Sequence, residues 1–244
     1  MNSIMKLVAI LFLLLSSTQS HAKTPVVAAA TSWAAALARA AGAEHILVIA
    51  PETLQHPPDY DPKPSDLLRM RDADFIILGG FEGFAQRMRD AAGSQAQLVE
   101  VHLQNSPKVI HTEVLRLAHL FGTTQKAEEY LLNFDQEYAH LSKTLHDHFA
   151  ERGDRAAAQI FMTVWAEFAG LELVGTFGPG PLQPGDLLRL SVLKPNIVLD
   201  NAHMPAGVPL AEAVGGHRVQ LTNFPKPGMD LLDVFRENAR ALMP

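Results

Sequence analysis

Apolar residues fall along this chain in two rhythms. Short apolar runs bounded by glycine, proline or a capping residue have the length of strands buried on both faces, and between them apolar residues recur with the period of one helix face. Residues 25–30 form the first run; Thr31 or Ser32 then caps an alanine-rich helix over 33–41, which Gly42 stops. Residues 45–50 predict a second strand and, after a proline-rich loop, residues 65–73 a helix. Residues 75–78 predict the third strand, ended by Gly79 and Gly80, with a helix over 84–92 and a fourth strand over 97–101. Strands alternating with helices about every 25 residues predict parallel βαβ units.

From residue 112 to 152 the pattern is helical without strands, broken once near Gly122, Thr123 and Thr124. Leu131, Leu132, Phe134, Tyr138, Leu141, Leu145 and Phe149 then recur at helical spacing until Gly153, which predicts one long helix over 124–153. Such a helix reaches about 40 Å at 1.5 Å per residue, longer than a single small lobe needs. The βα pattern then resumes, with strands expected at 158–164, 171–174, 196–200 and 218–221 and helices at 165–169, 184–193, 209–214 and 230–242. A Gly/Pro loop over 176–181 either lines a cleft or makes an ordinary rigid turn.

The first 22 residues do not belong to this scheme. Lys6, the apolar run 7–15 and the small residues Ser20 and Ala22 around His21 have the form of a cleaved secretory signal, with the mature chain starting near Lys23. No later segment approaches the roughly 20 apolar residues of a membrane span. The chain has no cysteine, which excludes disulfides, thiolate ligands, a cysteine nucleophile and a lipid-anchored cysteine. The destination implied is the periplasm of a two-membrane bacterium, without membrane insertion. The formal charge is −6, more negative once Lys6 leaves, with no basic patch, which argues against nucleic acid as a partner. The remaining length suits two lobes of about 100 residues each.

One stretch carries candidate chemistry. Between the second strand and its helix, Pro57, Pro58, Pro62 and Pro64 stiffen a loop containing His56, and Ser65 and Asp66 open the next helix. By composition alone His56 is equally a solvated loop residue or a placed imidazole, the commonest metal ligand. The string HPPDYDPKPSDL, residues 56–67, resembles the first metal-binding loop of the periplasmic solute-binding proteins of zinc and manganese ABC importers. In that family a histidine usually stands two residues before the tyrosine; here Pro58 holds that place and His56 lies four before Tyr60. The resemblance implies an α/β fold of two βα lobes with mostly parallel sheets, 23–123 and 154–244, joined by the long helix, with the ligand in the cleft between them.

Eleven histidines are present, and most need no function. His140, His146 and His148 fall on the long helix, where 146 and 148 point apart, and His45, His102, His119 and His217 look like surface or half-buried residues. His56, His111 and His203 remain. The resemblance implies a second ligand near His111, just past the fourth strand, and an acidic ligand at Asp200, with His203 three residues on in the same loop. Asp200 as a helix cap and His203 as a loop residue is the alternative. The family's third ligand has no histidine counterpart around residues 161–167, leaving Glu167 as a reserve. His56, His111, His203 and Asp200 are therefore the expected metal ligands. Imidazole favours zinc, and each oxygen donor shifts the preference toward manganese or iron.

The function implied is that of a monomeric binding protein delivering a divalent transition-metal ion to the permease of an ABC importer. A carrier of another solute, or a metal chaperone on the same fold, is the alternative. A metal-dependent hydrolase finds little support, since no HExxH helix, G-x-S-x-G elbow or Walker loop occurs.

Overall fold

The computed structural model describes residues 24–93 and 95–243. The expected signal segment, residues 1–22, lies outside them. Strands β1 (Val26–Ala29), β2 (His45–Val48), β3 (Phe75–Leu78) and β4 (Gln97–Glu100) form one parallel sheet in the order β2-β1-β3-β4. β5 (Arg155–Gln159), β6 (Glu172–Phe177), β7 (Ile197–Asn201) and β8 (His217–Leu221) form a second in the equivalent order, β6-β5-β7-β8. The chain is thus two α/β lobes of one topology. In each, the connections leave the first strand on opposite sides, so the crevice at the C-terminal ends of β1 and β3, or of β5 and β7, is where such sheets present binding loops.

The helices are α1 (Ser32–Ala40), α2 (Pro64–Arg69), α3 (Ala85–Ala91), α4 (Pro107–Phe121), α5 (Thr124–Ala150), α6 (Thr163–Ala169), α7 (Pro184–Ser191), α8 (Val208–Val214) and α9 (Leu231–Leu242). Alternate strand residues point to opposite faces, which splits the core. Ala28, Ala30, Ile76 and Leu78 pack outward with Met70, Phe84 and Met88; Ala157 and Val198 pack outward with Leu190 and Leu210. The inner faces of both sheets, through Val27, Ala29, Ile77, Ala156, Ala158 and Leu199, share one continuous cluster with α1, α4, α5, α6 and α9.

Helix α5 is the spine of that cluster. Its 27 residues bury Ala127, Leu131, Phe134, Leu145 and Phe149. Phe134 meets Phe235 of α9 edge-on at 5.3 Å, Tyr138 meets Phe168 of α6 at 5.0 Å, and Trp165 meets Phe235 at 5.0 Å. Glu137 receives Arg236 at 2.9 Å. The expected spanning helix is therefore present and is packed along its length.

One strand lies elsewhere than the pattern predicts. β5 occupies 155–159, earlier than the expected 158–164, and Ile160–Met162 form a 3-10 turn leading into α6. The strand is alanine-rich, a weak strand signal, and the more apolar run after it is turned by the Gln159 side chain, whose Oε1 accepts from Phe161 N at 3.2 Å.

Candidate functional site

His56 sits in a loop held at several points. Pro57–Asp59 form one 3-10 turn, Pro58 O accepts from Gly83 N at 3.1 Å, and the Tyr60 hydroxyl donates to Asp66 Oδ2 at 2.8 Å. Asp66 Oδ2 also accepts from Lys63 N at 2.9 Å, and these two donors hold its carboxyl below the usual range. The loop is therefore built around backbone and phenol bonds that leave His56 free of a structural role. Its Nδ1 lies 2.8 Å from Asp59 Oδ2 but off the line of a hydrogen bond.

His203 comes from the opposite lobe, in the loop after β7. Its Nδ1 is 2.8 Å from the carbonyl of Gln55, the residue preceding His56, and since a carbonyl only accepts, that nitrogen carries the proton. In the neutral ring Nε2 keeps a lone pair, directed at the Thr222 hydroxyl 2.8 Å away. The same hydroxyl is 2.9 Å from Phe224 O and has one proton to give, so Nε2 is a loosely held acceptor. Burial lowers the His203 pKa, the Gln55 carbonyl works against that, and His56 stands near enough to disfavour charge on it further. The ring packs edge-on against Phe224 at 4.8 Å, and Phe224 in turn meets Trp33 at 5.2 Å. The two histidines thus come together across the junction of the lobes.

The other two expected ligands do not join them. Asp200 is fully buried and its oxygens are spoken for: Oδ1 accepts from Asn201 N and Ala206 N, both at 3.0 Å, and Oδ2 from Gly207 N at 2.9 Å and Arg218 Nε at 2.7 Å. A side chain at Gly207 would press its Cβ to 2.9 Å from Val198 Cγ1 and 3.0 Å from the Asp200 carboxyl carbon, so the loop closes tightly on this carboxylate. Asp200 thereby shapes the turn that presents His203. His111 lies on α4, with Nε2 2.7 Å from Asp135 on α5 and the ring 6.3 Å from Phe134, on the spine side of the first lobe. Glu167, the reserve, is exposed on α6, and its backbone carbonyl faces His146 of α5. Of the four expected ligands, the structure brings His56 and His203 toward one another and holds Asp200 and His111 in other contacts. Among the described residues no three His, Asp or Glu side chains gather closely enough to hold an ion.

Around the pair, the strand ends carry neutral amides that single-residue chemistry did not mark. Asn105 after β4, Gln159 ending β5 and Asn223 after β8 are all buried. Asn105 and Asn223 each precede a proline by two residues, Pro107 and Pro225, and that polar-then-proline pattern at a strand's end was the available signal.

No protein-family model matches the chain, and no curated protein does. Solved structures do. The solute-binding protein FpvC of Pseudomonas aeruginosa, in complex with Mn2+, superposes with a TM-score of 0.68 at 17% identity, covering 90% of this chain and 96% of that one. The Cd-bound periplasmic metal binding protein of Candidatus Liberibacter asiaticus gives 0.67 at 12% identity, covering 89% and 97%. The chain has the fold of periplasmic metal-binding solute-binding proteins. The laminin-binding protein Lbp of Streptococcus pyogenes shares this solute-binding fold as well, with a TM-score of 0.66 at 13% identity over 90% of this chain and 98% of that one. In the solute-binding fold seen here, none of the helices among the described residues is long and apolar enough to cross a membrane.

Proposed function

We propose that this protein is a periplasmic solute-binding protein that captures a divalent transition-metal ion between its lobes and passes it to the permease of an ABC importer. The observation that carries this reading is the approach of His56 and His203 from opposite lobes, each on the loop after a strand's C-terminal end. FpvC with Mn2+ or Ni2+ bound, and the Liberibacter protein with Cd2+, support a metal as cargo on this fold. Two imidazoles favour zinc among the biological candidates, with water or nearby oxygens completing the shell; manganese and iron(II) prefer more oxygen donors. Capture, not turnover, is the role of a site placed between two lobes packed on one spine.

A second reading has its own support. Among the described residues no three His, Asp or Glu side chains gather at the pair, Asp59 standing beside His56 alone, and the buried amide oxygen Asn105 Oδ1 has no partner in the protein. Neutral amides suit a polar organic solute better than a bare dication, which needs compensating charge when buried. Elemental analysis of the purified protein, followed by calorimetric titration of zinc, manganese and iron(II) into the parent and His203→Ala, decides between them. Stoichiometric metal uptake lost in His203→Ala supports the metal reading; no uptake of any of the three refutes it.

A further inference from the structure

The lobes are tied together by bonds that run directly from one to the other. Trp165 Nε1 can only donate, so the Asn223 atom 3.0 Å from it is the oxygen, which turns Asn223 Nδ2 to the Phe161 carbonyl at 3.1 Å. With that amide fixed, Asn105 of the first lobe meets two acceptors, Asn223 O and Oδ1, both at 3.2 Å, and must present Nδ2 to them. The chain Asn105, Asn223, Trp165 therefore has one hydrogen-bonding sense throughout and is buried at every member. At the rim a second tie is reciprocal: Gln55 Nε2 donates to Ala202 O at 2.6 Å while Gln55 O accepts from His203 Nδ1 at 2.8 Å. Between them stands the edge-on contact of Trp33 with Phe224.

We infer that Asn105 and Asn223 form a clasp that holds the two lobes in contact independently of any bound ion. Each bond joins protein to protein, so the closure it supplies needs no bridging cargo. Cargo then reaches the His56 and His203 loops from the rim, after the Gln55 tie gives way, while the clasp behind stays shut. The clasp belongs to the same cleft, and its bearing on cargo rests on the solute-binding function proposed above.

The test is hydrogen exchange read by mass spectrometry over residues 100–106 and 220–226, on chelator-treated protein and again with zinc added. In the parent these segments are expected to be equally protected in both conditions. Asn105→Asp keeps the shape but turns an acceptor oxygen toward Asn223 O and Oδ1, and is expected to speed exchange in both segments by about tenfold or more. Gln55→Ala, at an exposed position, is the second variant should Asn105→Asp fold poorly; it is expected to speed exchange at 200–204 only. If the parent segments exchange freely after chelation and become protected only with zinc, or if Asn105→Asp exchanges no faster than the parent, the clasp is overturned while the metal reading stands. Protection without zinc in a protein that never takes up metal supports the clasp and sinks the metal reading instead.

Discussion

Asp200→Asn separates a loop-shaping carboxylate from a metal ligand. The substitution keeps volume and keeps Oδ1 as acceptor for Asn201 N and Ala206 N, but places an NH2 where Gly207 N and Arg218 Nε now donate. Breaking a buried charge pair by removing one partner costs about 3–5 kcal/mol. Arg218 keeps roughly a quarter of its side chain in solvent and recovers some hydration, so the low end, about 3 kcal/mol, is expected. For a chain of this size that lowers Tm by about 6–12 °C. Metal affinity, titrated well below the melting range, should fall modestly, through a less ordered His203 loop. The assay is thermal unfolding by circular dichroism beside calorimetric titration. A variant that melts with the parent yet binds metal a hundredfold more weakly would show Asp200 to be a ligand and refute its role as the internal brace of the His203 loop.

Other expectations follow from the same contacts. His111→Ala should leave metal affinity unchanged and cost under about 1 kcal/mol, because its partner Asp135 is half exposed; an affinity loss of tenfold would place it at the site. Phe134→Ala empties the spine's largest fully buried position and should cost about 3–5 kcal/mol while both lobes still unfold in one transition; two transitions would contradict the shared core. His203 has a lowered folded pKa, so below its unfolded value near 6.5 the unfolded chain binds more protons. Its contribution is therefore intact above pH 6.5 and shrinks as pH falls through the range below; urea midpoints at pH 7 and 5 should differ more in the parent than in His203→Gln. Radii of gyration from small-angle scattering should agree within error with and without zinc, since the spine packs against both lobes, and a marked contraction on loading would refute that.

Much of the fold was legible because buried parallel strands announce themselves as apolar runs: residues 75–78 are β3 without adjustment, and Gly122 marks the break before α5. β5 was displaced because RAAAQ is a poor strand by composition and becomes one only between β6 and β7. His56 and His203 stood out in the sequence by their loops after strands, His56 also by its resemblance to a family loop, and those loops meet across the lobes. The placement of His111 is geometric: α4 buries Ile110, Val114, Leu117 and Phe121, and the neighbouring position turns to Asp135 of α5. Asp200 could not be judged from sequence, because whether a carboxylate ending a strand faces a cleft or its own loop depends on where Ala206 and Gly207 return. Asn105 and Asn223 were invisible as a pair, being 118 residues apart with chemistry that matters only once they meet.

The repeated strand order has a consequence for the halves taken separately. Each sheet is dressed on its outer face by its own short helices, α2 and α3 or α7 and α8, while its inner face is completed by helices that share one apolar cluster with those of the other lobe. A gene cut between β4 and β5 therefore yields two fragments with the same arrangement and the same uncovered side. Whichever fragment inherits α5 bares part of that helix's buried stripe to water, and the other loses the spine on which its inner helices pack. Co-expressed, they should reassemble through that helix; expressed singly, each should pair with its own copies or precipitate.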